Sequence, residues 1–165
     1  MSVNSPAALY PGTFDPVTRG HLDLIRRGLD LFGSLQVAVA LSKSKDTLFT
    51  VDERVAMLSE ETADWEGVSV VSFRGLVVDH CRAQSIQVIL RGVRTISDFE
   101  YEYQMALTNR ALEGKIETVF VMPSEEFSFV SARLIKEVYA SGGDLGRFLT
   151  PAVRSALVSA LPVDK

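Results

Sequence analysis

His21, Lys45, Arg91 and Arg94 are the residues of this chain best suited to hold a phosphorylated substrate. Lysine offers phosphate a point charge and arginine a planar fork of donors, while a histidine at a helix start can stabilise charge developing on a reacting phosphate. Three basic groups and a histidine, brought from separate loops into one crevice, suit a ligand with several phosphates, such as a triphosphate plus a second phosphate. The stretch from Gly12 to His21 runs out of a short apolar segment into an amphipathic pattern carried by Leu22, Ile25, Leu29 and Phe32. The first turn of such a helix has free N–H groups and the positive end of the dipole, and Gly20 lets a ligand approach the backbone.

The elements that must position these groups follow from the spacing of apolar residues. Five short apolar runs, Ala7 to Tyr10, Leu35 to Leu41, Val68 to Phe73, Val88 to Leu90 and Val119 to Met122, predict strands. Pro11-Gly12 is expected to stop the first. Helical patterns lie between the runs. Thr50 with Glu53 reads as a capping box ahead of Val55, Leu58 and Trp65, and Ser97 with Glu100 as a second ahead of Phe99, Tyr103 and Ala106. Leu76 to Ala83 reads as a shorter helix, Ser131 as the cap of a helix carrying Leu134, Ile135 and Val138, and Thr150-Pro151 as the start of the last. Strands apolar on both faces and alternating with helices predict a single-domain doubly wound, Rossmann-like α/β fold over residues 1–165: a five-stranded parallel sheet with helices on both faces. Ligands of such folds lie beyond the carboxyl ends of the strands, at the switch in strand order. Each basic residue above lies just after an apolar run.

Composition excludes several classes. A 165-residue chain with 47% hydrophobic and 23% charged residues is expected to pack one core, and a net charge of −4 gives no support to binding long nucleic acid. The single cysteine rules out an internal disulfide and argues against a thiolate metal site. No window approaches the roughly 18 apolar residues of a membrane span, and Met1 to Pro6 lack signal-peptide features, so a cytoplasmic protein without a membrane partner is expected. Neither a Gly-x-Gly-x-x-Gly fingerprint after the first strand nor a Walker-type phosphate loop is present.

Tyr10-Pro11-Gly12-Thr13-Phe14-Asp15-Pro16 with Gly20-His21 resembles the first motif of the nucleotidyltransferase superfamily. Arg91-Gly92-Val93-Arg94 with Asp98 to Glu102, Met122-Pro123-Ser124, and Phe127 to Ser131 are similar, in order and spacing, to bacterial phosphopantetheine adenylyltransferases across essentially the whole chain. That resemblance implies transfer of an adenylyl group from ATP to 4′-phosphopantetheine, giving dephospho-coenzyme A and pyrophosphate, with Mg2+, in a homohexamer under feedback by coenzyme A. It implies that His21, Lys45 and Arg91 are catalytic and that Thr13, Phe14, His21, Gly92, Val93, Arg94 and Glu102 meet ATP. Glu102 is expected to accept from ribose hydroxyls, and Phe127, Ser128, Phe129, Val130, Ser131, Ala132 and Arg133 to close over the nucleotide. Thr13, Ser42, Lys45, Val77 and Arg91 would bind the acceptor. The metal ligands are not assigned. The family commonly has two serines where this chain has Ala132 and Arg133, and Arg133 is expected to supply charge to the β- or γ-phosphate instead.

Other readings stand beside these. His21 could be a cap or surface residue, and Arg91 could be held in an ion pair with Asp98. The acids at 98 and 100 could serve only the helix dipole, Lys43 could be a solvated loop lysine, and Phe127 and Phe129 could be core. His80 is expected to be an exposed helix residue and Cys81 a small buried one. Another small nucleotidyltransferase, acting on a nicotinamide nucleotide or using CTP, is the rival enzyme; a non-catalytic nucleotide sensor is the rival from another class. The Ser42-Lys43-Ser44-Lys45 run follows the second strand instead of the last, which separates it from the lysine loop of aminoacyl-tRNA synthetases.

Overall fold

A computed structural model describes residues 7–41 and 46–161. Five strands, β1 (Ala8–Gly12), β2 (Leu35–Leu41), β3 (Val68–Arg74), β4 (Val88–Gly92) and β5 (Glu117–Val121), form one parallel sheet in the order β3-β2-β1-β4-β5. The helices are α1 (Arg19–Phe32), α2 (Val51–Glu61), α3 (Val77–Gln84), α4 (Ile96–Leu112), α5 (Ala132–Ala140) and α6 (Pro151–Ala160). The doubly wound sheet expected from the sequence is therefore present. Ala8 and Tyr10 point into the larger core cluster with residues of α1, α2, α5 and α6, whereas the intervening Leu9 joins Val78 and Cys81 of α3 in a second cluster. Alternation along β1 thus serves two buried faces. Among the described residues no helix is long and apolar enough to cross a membrane.

Pro11-Gly12 does not stop β1, which stays in register with β2 as far as Gly12↔Val39. A residue's N–H and C=O project to the same side of a strand, and the Pro11 carbonyl accepts from Arg91 of β4 at 2.6 Å. The missing proline N–H therefore faces away from β2 and costs no bond there. β1 and β4 meet at Leu9↔Ile89, and this junction is where the order of the strands switches.

Three helix starts match their expected caps and one does not. Thr50 and Glu53 make the capping box, and Ser131 and Thr150 cap α5 and α6. α4 begins earlier than expected, with Thr95 accepting from the Asp98 N–H at 3.1 Å, so Ser97 and Glu100 form no box. Its apolar residues were expected on the buried face, yet Phe99 and Tyr103 are exposed and stack on each other at 5.8 Å, while Glu102 and Asn109 turn inward. Trp65 lies beyond the end of α2, under the Arg26 guanidinium at 4.0 Å. His80 is half-buried and hydrogen-bonded to the Gln36 amide oxygen at 2.7 Å, against the expectation of an exposed residue. Cys81 is buried as expected, and burial pushes its thiol pKa up to about 11.

Gly28 lets α1 approach the sheet: a Cβ there would lie 2.6 Å from a Leu90 methyl and 3.0 Å from one of Leu35. Gly28→Ala is expected to lower stability by about 1 kcal/mol net, since overpacking costs roughly 1–3 kcal/mol and helix propensity returns up to about 1. A thermal melt checks this; an unchanged or raised midpoint would show that the leucines repack freely.

Candidate active site

A cavity of about 670 Å³ opens where β1 and β4 part, beyond their carboxyl ends. β1 delivers Thr13 and Phe14, α1 delivers His21, and β4 with the turn after it delivers Arg91, Gly92 and Arg94. Phe127 and the start of α5, including Ser131, Ala132 and Arg133, form the opposite wall. Gly92 has a steric reason to be glycine, because a Cβ would fall 2.3 Å from a Leu24 methyl.

Local structure decides the state of His21. Thr18 caps α1 and accepts from the His21 backbone N–H at 3.2 Å, while the Thr18 N–H donates to Nδ1 of the His21 ring at 3.1 Å. A backbone N–H can only donate, so Nδ1 is unprotonated and the ring proton resides on Nε2. Burial, followed by the charges of Arg94 and Arg91, lowers the His21 pKa to about 4. At neutral pH the ring is a neutral donor with its tautomer selected by the capping box. The cap and the candidate catalytic residue are the same side chain.

Phe14 has the unusual backbone angle φ 52°, and its buried ring lies edge-on to Tyr10 and His21 at 5.4 and 5.0 Å. A Cβ at Gly12 would meet this ring at 2.8 Å. What Phe14 offers a ligand is therefore its backbone, while the ring packs the His21 imidazole from the side.

Arg91 pairs with Glu102, not with Asp98. Nε and Nη2 of Arg91 donate to the two carboxylate oxygens at 2.8 and 2.5 Å, and Asp98 instead pairs with Arg94 at 3.0 Å. Burial opposes the Arg91 charge, but the Glu102 carboxylate outweighs it and holds the guanidinium above its usual pKa. Glu102 lines the cavity with both oxygens engaged by Arg91. Arg94 also donates to the Val130 carbonyl at 2.7 Å, tying the turn after β4 to the entry of α5.

Several of the residues singled out in the sequence lie elsewhere. Val93 is bonded to the Val121 carbonyl at 3.1 Å, and Val77 packs against the second core cluster. The Ser128 hydroxyl donates to the Glu125 carbonyl at 2.9 Å, and Phe129 is exposed and edge-on to Phe148 at 5.8 Å. None of these four lines the cavity. Ser42, Lys43 and Lys45 lie outside the described residues.

The cavity also contains residues to which the sequence reading assigned no role. Asp15 accepts from the Leu48 and Phe49 N–H groups at 2.9 Å each and from Lys136 at 2.9 Å. Burial raises its pKa, yet these donors outweigh burial and leave it below the ordinary carboxylate value. Arg54, also buried, complements it by donating to the carbonyls of Thr13 and Phe49 at 2.7 and 3.1 Å. Anion and cation thus hold opposite polar ends of the same two loops. On the far side Asp23 binds the Ser124 N–H and hydroxyl at 2.8 and 2.7 Å, anchoring the segment before Phe127 to α1. Asp15 lies inside the quoted first motif and Lys136 one helical turn after Arg133; those positions were the only available signals.

A cytidylyltransferase-like family model matches residues 9–138. A phosphopantetheine adenylyltransferase from Opitutus terrae is 50% identical over 149 residues, which is 90% of this chain and 93% of that protein. The crystal structure of the lipopolysaccharide core biosynthesis protein from Thermoplasma volcanium GSS1 superposes with a TM-score of 0.52 at 21% identity, over 71% of this chain and 94% of that one, a likeness of fold alone. With the switch-point cavity, its neutral histidine and its paired arginines, these similarities place the chain in the cytidylyltransferase-like family of nucleotidyltransferases, among the phosphopantetheine adenylyltransferases.

Proposed function

We propose that this chain transfers the adenylyl group of ATP to 4′-phosphopantetheine, releasing dephospho-coenzyme A and pyrophosphate. The observation that carries the reading is His21, a neutral N–H donor beside two arginines in the switch-point cavity. An acceptor phosphate is already largely ionised near neutral pH and needs no base. Its oxygen attacks the α-phosphorus in line, the bond from that phosphorus to the bridging oxygen breaks, and pyrophosphate leaves with the electron pair. The protein has to align two anions that repel each other and stabilise charge on the α-phosphate. In this reading His21 donates from Nε2 to the α-phosphate, Arg91 and Lys45 hold the acceptor, and Arg94 with the segment from Phe127 to Arg133 surrounds the nucleotide. Glu102 keeps Arg91 charged and aimed, and a ribose hydroxyl would have to share its oxygens with that arginine.

Mg2+ fits as a partner of the triphosphate. Among the described residues no group of three or more His, Cys, Asp or Glu side chains could hold a metal, and Asp15, Asp98 and Glu102 are each already paired with a cation. A magnesium ion held mainly by phosphate and water would suit such a site and, when bound, would supply positive charge for the leaving pyrophosphate.

Incubation with Mg2+ and ATP or CTP, with 4′-phosphopantetheine or nicotinamide mononucleotide as acceptor, tests the reading by pyrophosphate release. Release from ATP with phosphopantetheine is expected; its absence overturns the proposal. Arg133→Ala is expected to raise the KM for ATP about threefold to tenfold, because Arg133 lines the cavity and its side chain is exposed, paired with Glu137 of its own helix at 3.0 Å. An unchanged KM would leave Arg133 a surface residue.

A homohexamer in the cytoplasm, with coenzyme A as feedback ligand, belongs to the same reading. The exposed Ile96, Tyr101, Leu107 and Leu112 of α4 support association with other copies, since so much apolar surface on one helix favours a partner. Light scattering of the purified protein measures the assembly.

A further inference from the structure

Asp23, a carboxylate of α1, has no part in the chemistry above. It follows His21 by two residues, a spacing that turns it away from the imidazole and towards the chain leaving β5. Its two oxygens take both donors of Ser124, Oδ2 the backbone N–H at 2.8 Å and Oδ1 the hydroxyl at 2.7 Å. Arg27, one turn further along α1, closes the ring: Nε donates to Oδ2 at 3.1 Å and Nη2 to the Ser124 hydroxyl oxygen at 2.8 Å. Burial opposes the charge of Asp23, but the Ser124 donors and Arg27 outweigh it and leave its pKa below the ordinary carboxylate value. A two-pronged, charge-assisted clamp of this kind fixes direction as well as distance.

The clamp acts on a wall of the cavity. Ser124 stands between Pro123 and the short turn Glu125–Phe127, and Pro123 and Phe127 both line the cavity. The Phe127 N–H donates to the Ser124 carbonyl at 2.9 Å, so the turn follows Ser124. Phe127 also packs on the first turn of α1, where a Cβ at Gly20 would meet the Phe127 Cβ at 3.4 Å. The wall is therefore located by the same helix that carries His21. The ion pair of Glu126 with Arg147 holds the turn weakly, because it is 4.0 Å long and both side chains are more than half exposed.

We propose that Asp23 is a positioning residue for the nucleoside of ATP: by clamping Ser124 it holds the Pro123–Phe127 wall at the distance from His21 that a nucleotide spans between its α-phosphate and its base. This rests on the adenylyl-transfer reading above. Pro123 and Phe127 are apolar, which suits the flat face of a base and not a phosphate. The phosphates are left to His21 and the basic side chains, none of which Asp23 holds. Its loss therefore acts on one half of the nucleotide.

Steady-state kinetics and calorimetric titration with AMP and with inorganic pyrophosphate test this in the full-length protein. AMP carries the base and the α-phosphate, whereas pyrophosphate carries charge without a base. Asp23→Ala is expected to raise the KM for ATP about tenfold and to weaken AMP binding by a similar factor. The turnover number at saturating ATP, the KM for phosphopantetheine and the affinity for pyrophosphate each stay within about threefold of the wild type. Asp23→Asn, whose amide oxygen can still accept from the Ser124 N–H, recovers most of the AMP affinity. Ser124→Pro removes both donors from the other end of the clamp without altering α1, at a position whose φ of −55° already suits proline. It is expected to reproduce the loss of AMP affinity, and it decides the matter if Asp23→Ala does not fold. An Asp23→Ala protein whose KM for ATP stays within about twofold overturns the proposal. Equal losses of AMP and pyrophosphate affinity also overturn it, since they mark a general collapse of the site, as does a Ser124→Pro protein that binds AMP like the wild type. A wild type that binds AMP through this clamp but performs no transfer to phosphopantetheine would remove the assigned reaction and leave the role of Asp23 standing.

Discussion

His21→Ala is expected to lower the turnover number roughly 10² to 10³-fold while changing ATP binding little, the behaviour of a donor whose interaction strengthens in the transition state. The same substitution removes the acceptor for the Thr18 N–H, so part of the damage could come from a frayed helix start, worth about 0.5–2 kcal/mol. His21→Gln separates the effects. Glutamine is an ordinary residue at the third helical position of a capping box and can accept from Thr18. Stability near that of the wild type with turnover still reduced at least about tenfold is expected; full activity would show that the imidazole matters only as a cap. The low pKa of His21 also sets a pH signature. In the unfolded chain a histidine titrates near 6.5, whereas in the folded protein it stays neutral down to about 4. Between those values the unfolded state binds more protons, so the stability contributed by the neutral form is fully present above pH 6.5 and falls as pH drops towards 4. Thermal melts across that window should show a shallower slope for His21→Gln.

Glu102→Ala is expected to destabilise the ligand-free protein by about 2 kcal/mol, measured by chemical denaturation. Breaking a fully buried ion pair costs about 3–5 kcal/mol because the remaining charge is stranded; the lower figure applies because Arg91 keeps 29% of its side chain exposed. The variant should gain more stability than the wild type from an added phosphate ligand, since an anion at Arg91 replaces the lost carboxylate. If ligand-induced shifts are equal in both proteins, Arg91 does not hold the acceptor phosphate.

Much of this architecture was legible from periodicity. The Leu22, Ile25, Leu29 and Phe32 stripe, the Thr50–Glu53 box and the Thr150-Pro151 start are local signals, and each element formed where its signal lay. α4 misled because its first turn was capped by Thr95, and because its burial answers to a charge. Arg91 at the end of β4 needs a carboxylate, so Glu102 is turned inward and Phe99 and Tyr103 are left outside. No periodicity of apolar residues can announce a helix face chosen by an arginine on another strand.

The sequence by itself determined the doubly wound sheet, the phosphate-seeking loops at its carboxyl edge, and the residues His21, Arg91 and Arg94 as the groups to watch, because strand alternation, helix spacing and capping are contests among neighbours in the chain. Only the tertiary structure decided what state those groups are in. The charge of His21 depends on burial and on arginines some 70 residues away, and the pairing of Asp15 with Lys136 spans 121 positions. Desolvation and Coulomb interaction act through distance in space, and distance in space is what the folded chain supplies.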